Sequence, residues 1–208
     1  TNKKTFENSI IKIKKNIYEK KNVFHSFSKE FNLNLNLKDL KKYKKFKRIV
    51  TIGFGGSILG TQALNMFLKK KTKKELIFVN NLDLNQIEKL NKLKNLKNSL
   101  FIIVSKSGNT LEVLTLINSL KNKANFNKDN SIIITEKKKN FLSSFAKKFN
   151  IKIIYHRNYI GGRYSVFSET ALIPSYLMGL NNKKFKKNIL NFIYKKKSIL
   201  IKNLINLS

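Results

Sequence analysis

Cysteine is absent from the 208 residues, proline occurs once and histidine twice. Without cysteine there is no disulfide framework, no Cys-based zinc site and no thiol nucleophile. His25 and His156 cannot by themselves build a His-only metal site, so no metal is expected. Acidic residues are also scarce, with 11 Asp+Glu against 44 Lys+Arg and a formal net charge of +33. No apolar run approaches the roughly 18 uncharged residues that span a bilayer, so no membrane partner is expected. The opening Thr1-Asn2-Lys3-Lys4 has no apolar stretch of the kind a signal peptide carries. These features point to the cytoplasm. Hydrophobic residues make up 41% of the chain, enough at this length for one full core with flanking helices rather than a disordered polymer.

The surplus of positive charge raises nucleic-acid binding as a first function class. The basic residues are, however, spread along the whole chain in runs such as Lys69-Lys70-Lys71 and Lys195-Lys196-Lys197. They travel with heavy Asn and Ile usage, as an AT-rich coding sequence would produce, and no aromatic-interleaved basic patch is present. We read the charge as compositional, with no nucleic-acid partner.

Residues 5–31 carry Phe6, Ile10, Ile13, Ile17, Val23, Phe24 and Phe27 at mostly helical spacing, which predicts an N-terminal amphipathic helix. From Arg48 the pattern changes to short apolar runs, predicting strands at 48–52, 76–79, 100–104, 131–135 and 152–155. Helices are predicted between them at 58–70, 83–97, 110–122 and 137–148. Runs such as Phe101-Ile102-Ile103-Val104 are apolar on both faces, as in a parallel sheet covered on both sides. The fold class is therefore α/β, a doubly wound five-stranded parallel sheet. Residues 1–45 form an N-terminal helical segment, 46–180 the α/β domain, and 181–208 a further helical segment.

Eight glycines are so few that their positions are informative. Three clusters follow predicted strands. The first, Gly53-Phe54-Gly55-Gly56-Ser57-Ile58-Leu59-Gly60, turns from the first strand into a helix. A dinucleotide fingerprint would need Gly at 58 and an acid after the second strand, where Ile58 and Asn80-Asn81 stand. A Walker loop would need Lys where Gly60 precedes Thr61. The second cluster, Ser105-Lys106-Ser107-Gly108-Asn109-Thr110-Leu111-Glu112, gathers hydroxyls, an amide and a lysine at a helix mouth after the third strand. Such a terminus suits a phosphate monoester. Helix capping by Ser107 or Asn109 is the plainer use of these side chains. The third cluster, Gly161-Gly162-Arg163-Tyr164-Ser165, aims an arginine toward the same crevice, where a guanidinium stabilises a developing oxyanion.

Taken in this order, Gly55-Gly56-Ser57-x-Leu59-Gly60, Ser105-Lys106-Ser107-Gly108-x-Thr110-x-Glu112 and Gly161-Gly162-Arg163-Tyr164-Ser165 resemble the signatures of the phosphoglucose isomerase family. The resemblance covers residues 45–180. It implies a sugar-isomerase (SIS-type, flavodoxin-like) domain and interconversion of glucose 6-phosphate with fructose 6-phosphate in glycolysis and gluconeogenesis. It also implies a homodimer, a sugar phosphate as substrate partner, and no metal or organic cofactor. Ser57, Ser105, Lys106, Ser107 and Thr110 would surround the phosphate, with Gly56, Gly108 and Gly162 in the substrate loops. Arg163 would be catalytic, stabilising the enediolate. Glu169 and Thr170 depart from the family pattern, standing where small or apolar residues are usual.

Aldose–ketose isomerisation also needs a carboxylate base and an acid–base pair that opens the ring. Of the acids, Glu112, Glu136 and Glu169 lie nearest the crevice segments, and Glu112 reads as a first-turn helix acid. His156 is expected at a strand end on the surface, and His25 in a structural role on the first helix. The resemblance puts the base, the ring-opening His and a late Lys beyond the last residue here. The chain, which does not begin with Met, is thus expected to be part of a longer enzyme, to bind phosphosugar and not to turn it over. The alternative is a non-catalytic sugar-phosphate-binding module.

Overall fold

The computed structural model describes residues 2–68, 71–195 and 197–206. In chain order its helices are α1 (Asn2–Asn16), α2 (Gly56–Leu68), α3 (Leu84–Lys92), α4 (Leu111–Ala124), α5 (Phe141–Lys148), α6 (Glu169–Leu177), α7 (Asn182–Lys195) and α8 (Lys197–Asn206). Its strands are β1 (Arg48–Gly53), β2 (Glu75–Val79), β3 (Leu100–Val104), β4 (Ser131–Glu136) and β5 (Lys152–His156), all within one residue of the predicted starts and ends. Short 3₁₀ helices occupy Val23–Phe27, Leu37–Lys45, Leu96–Asn98 and Gly162–Phe167. Among the described residues no helix is long and apolar enough to cross a membrane.

Residues 33–180 make one compact unit, built on a parallel sheet in the order β2-β1-β3-β4-β5. The chain moves one way from β1 to β2 and the other way from β2 through β5. Right-handed crossovers then force α2 onto one face and α3, α4 and α5 onto the other. Val50, Ile52, Phe101, Ile103 and Ile133 therefore meet Leu90 of α3, Leu116, Ile117 and Leu120 of α4, and Leu142 and Ala146 of α5 in a single core cluster. The alternate residues Ile49, Ile102, Ile132 and Ile134 are equally buried and point to the opposite face, where α2 packs on β1 and α6 on β5. Burial of each such side chain stabilises the unit by roughly 1.5–3 kcal/mol. The predicted α/β class and five-stranded parallel sheet stand.

The helix ends differ from the periodicity, each for a local reason. Asn140 accepts from the Ser143 N–H at 2.8 Å while the Ser143 hydroxyl receives the Asn140 N–H, a capping box that starts α5 at 141 and leaves Lys137–Lys139 in the loop. Leu93 turns extended and Asn95 adopts φ 55°, so α3 stops at 92. Helix α6 was not anticipated because Pro174 lies inside it. Proline leaves the carbonyl four residues earlier, that of Thr170, without its helical donor. The Thr61 hydroxyl of α2 fills that place at 2.9 Å.

The other compact unit comprises 1–32 and 181–208. Here the predicted single helix over 5–31 is instead α1 followed by a break. Lys21 takes φ 65°, and Asn22 opens a new 3₁₀ turn by accepting from the Phe24 N–H at 3.0 Å. His25 is structural, with Nδ1 at 3.0 Å from the Ile17 carbonyl. Residues 33–45 lie in the same compact unit as the sheet, where Leu40 and Tyr43 are fully buried and the Tyr43 hydroxyl donates to the Lys128 carbonyl at 2.9 Å.

Candidate active site

Strand order 2-1-3 reverses between β1 and β3, so the loops leaving their carboxyl ends diverge and open a crevice, the usual ligand position in such sheets. The first and second glycine clusters are these two loops. In the first, Gly55 takes φ 52° and Ser57 enters the first turn of α2, half-buried, with its N–H on the Phe54 carbonyl at 3.2 Å.

In the second loop three hydroxyls converge. Ser105 and Thr110 lie 2.7 Å apart, Ser107 and Thr110 3.3 Å, and Ser105 and Ser107 3.4 Å. The Gly108 N–H donates to Ser105 at 3.1 Å and the Asn109 N–H to Ser107 at 3.2 Å. Thr110 is the N-cap of α4 but makes no side-chain cap bond; its hydroxyl turns into the triangle instead. The first turn of α4 is thus uncapped by side chains beside a knot of hydroxyls, a combination suited to an oxyanion. Capping does not occupy the other two candidates either: Asn109 accepts from the Phe141 N–H of α5 at 2.8 Å. Gly108 holds φ 72°, and a Cβ there would lie 2.2 Å from the Asn140 side chain, which ties the loop to the α5 cap.

Lys106 is not brought to the triangle. Its ammonium donates to the Asn158 carbonyl at 2.8 Å and pairs with Glu136 at 3.4 Å, bridging the ends of β4 and β5. Burial pushes the Glu136 carboxyl up, but the hydrogen bonds and charges of Lys138 and Lys106 outweigh it and hold it below the usual carboxylate range.

The third cluster meets the first backbone to backbone. A Cβ on Gly56 would lie 2.6 Å from the Arg163 nitrogen and the Gly162 carbonyl carbon, so only glycine allows the approach. Beneath it the Ser165 hydroxyl donates to the Gly162 carbonyl at 2.6 Å, and Thr170 donates to the Ser165 hydroxyl at 2.7 Å. The Arg163 backbone is therefore held firmly, while its side chain is exposed and has no ion-pair partner among the described residues.

The carboxylates considered as bases are otherwise engaged or remote from such a role. Glu112 is an exposed first-turn acid of α4. Glu169 is 0% exposed, ion-paired with Arg157, and accepts the Asn34 N–H at 3.1 Å. Burial would raise its pKa; His156, its own backbone N–H, Arg157 and the Asn34 N–H together hold it below the ordinary value. His156, expected on the surface, is 3% exposed, with Nδ1 3.6 Å from Glu169. The correction has a simple cause: residue 156 ends β5 pointing inward, under the 33–36 segment whose Asn34 amide bonds the Tyr155 carbonyl. Arg157, Asn34 and Asn140 were not singled out by the sequence pattern. The sole signal for this cluster was the unusual Glu169-Thr170 after the arginine motif.

A profile of phosphoglucose isomerase matches residues 5–190. Curated relatives named glucose-6-phosphate isomerase include those of Borreliella afzelii (37% identical over 62% of this chain), Methanocaldococcus jannaschii (35% over 72%) and Campylobacter jejuni (31% over 77%). The matched stretches occupy only 26%, 37% and 41% of those proteins. In fold, the chain is similar to a hypothetical protein of Thermus thermophilus (TM-score 0.71, 22% identity, 91% of this chain and 47% of that one). It is also similar to a glucose-6-phosphate isomerase of Chlamydia trachomatis (TM-score 0.58, 24% identity, 72% and 30%). With nearly its whole length matched by the family profile, the chain belongs to the phosphoglucose isomerase family.

Proposed function

We propose that the chain is the phosphosugar-binding part of a glucose-6-phosphate isomerase, interconverting glucose 6-phosphate and fructose 6-phosphate through a cis-enediolate. The observation that carries this is the triangle of Ser105, Ser107 and Thr110 at the uncapped start of α4. Three hydroxyls and the adjacent N–H groups match the acceptors of a phosphate monoester, each charge-assisted bond contributing roughly 1.5–3 kcal/mol. Ser57 would reach the same group from the start of α2. Lys106 would act from a distance through its charge, since its ammonium is bonded at the β4–β5 edge. Arg163, on a backbone fixed by Gly56 and Ser165 and with a free side chain, would stabilise the enediolate oxyanion.

The base that moves the proton between C1 and C2 would come from a part of the enzyme beyond these residues. Of the three candidate carboxylates here, Glu136 and Glu169 are held in ion pairs and Glu112 stands exposed on α4. The same observation favours a second reading, a sugar-phosphate-binding module without turnover. The full enzyme is proposed to act in the cytoplasm as a homodimer.

Fructose 6-phosphate is expected to raise the melting temperature of the chain, by the equivalent of about 2.7 kcal/mol at a concentration 100 times Kd. Ser105→Ala with Ser107→Ala is expected to abolish that rise. Undiminished stabilisation in the double variant would refute the phosphate assignment. Turnover by the purified chain alone would refute the placement of the base.

A further inference from the structure

A second cleft, of about 650 Å³, opens at the carboxyl ends of β4 and β5, where the Lys106 ammonium bonds the Asn158 carbonyl. Such a volume is ample for a small polar ligand. Its wall is cationic and amide-rich: Asn34, Lys137, Lys138, His156, Arg157 and Asn158, with Glu136 contributing the opposing charge. Lys138 is matched by Glu136 at 2.9 Å and Arg157 by Glu169, whereas Lys137 is exposed and has no ion pair among the described residues.

The floor is more telling than the rim. His156 lines this cleft while 97% of its surface is hidden, and neither ring nitrogen has a hydrogen-bond partner. Its Nδ1 faces the Glu169 carboxylate, whose charge it helps to hold, at 3.6 Å, beyond ordinary hydrogen-bond range, and that Oε2 is likewise without a hydrogen-bond partner. A buried imidazole with no partner is unfavourable, and such groups in folded proteins ordinarily meet one. A neutral imidazole carries one N–H, and with Nδ1 on the Glu169 side a bound anion would take its bond from Nε2–H.

We infer that the β4–β5 cleft is a second anion site, taking a phosphate dianion, free or as a monoester, with His156 donating from the floor and Lys137 and Arg157 supplying charge from the rim. The site does not rest on the proposed function, because it shares no residue with the triangle. Asn34 and Asn158 would bond the hydroxyls of an esterified sugar.

Two histidines make the test direct. Ring ¹H–¹⁵N spectra of the whole chain are recorded during titration with inorganic phosphate, and then with fructose 6-phosphate, at constant ionic strength set with chloride. His25, bonded to Ile17 in the other compact unit, serves as the folded-state reference. The expected result is a saturable shift of the His156 resonances with His25 unmoved, retained in Ser105→Ala/Ser107→Ala and weakened about fivefold or more in apparent affinity by Lys137→Gln, an exposed position. Tighter binding of the ester would assign the site to phosphorylated sugars, and equal binding to free phosphate. The site is overturned if His156 does not respond, if chloride reproduces the shift, or if the Ser105/Ser107 variant abolishes it.

Discussion

Glu169 sits with no solvent contact between Arg157, His156 and the Asn34 N–H, at the first residue of α6. A carboxylate is tolerated there because its partners outweigh the loss of hydration, which is why its pKa lies below the usual value despite burial. The consequence for stability follows from linkage. A depressed native pKa gives a contribution fully present above the unfolded value, near 4.3, and lost as pH falls through the native one. Glu169→Gln is expected to lower stability by roughly 3 kcal/mol at neutral pH, leaving Arg157 short of its buried partner. In urea titrations from about pH 6 to about pH 3 the gap to the parent should narrow as the parent loses the carboxylate. A gap that widens on acidification would show that Glu169 is not held ionised. Composition and period said nothing of this cluster, because Asn34 and Glu169 are 135 residues apart and meet only through the fold. Only the odd dipeptide after Arg163 hinted at it.

The elements were more legible than their junctions. Strand runs apolar on both faces have one stable environment, the middle of a covered parallel sheet, so the central strands β1, β3 and β4 follow from local sequence, and the runs of β2 and β5 fall at its edges. Helix ends depend on single hydrogen bonds, such as the Asn140–Ser143 box, which periodicity does not register. The turn of α2 around Gly56 shows how far the tertiary contact outruns the motif: the glycine was read as a ligand-approach residue, and its nearest neighbour is the backbone of Gly162 and Arg163. Gly56→Ala is expected to force these two loops apart, at about 2 kcal/mol of stability, and to weaken fructose 6-phosphate stabilisation at the same time. Denaturation midpoints with and without the sugar phosphate test both effects. An alanine variant as stable as the parent would mean that the loops yield without strain.

At the scale of the molecule, +33 charges on 208 residues repel one another. The described acidic groups neutralise only a few lysines, as in the Lys42–Asp129, Lys92–Glu88 and Lys138–Glu136 pairs. Net self-repulsion destabilises a compact state, and salt shortens its range from about 30 Å at 0.01 M to about 8 Å at 0.15 M. The melting temperature is therefore expected to rise by several degrees between these salt concentrations, as read by circular dichroism. A fall would mean that favourable ion pairs outweigh the repulsion.

Hydrophobic period and the spacing of a few glycines are local properties, and they carried the α/β class, the strand positions, the three loops and the family resemblance. Which loops touch, which way Lys106 turns, and the sealing of His156 and Glu169 were decided by the tertiary structure. So was the pairing of residues 1–32 with 181–208 in one compact unit. The reason is physical: periodicity records whether a side chain is wet or dry, whereas a hydrogen bond or a Cβ-free approach depends on positions of atoms brought together by packing, which no single segment of chain contains.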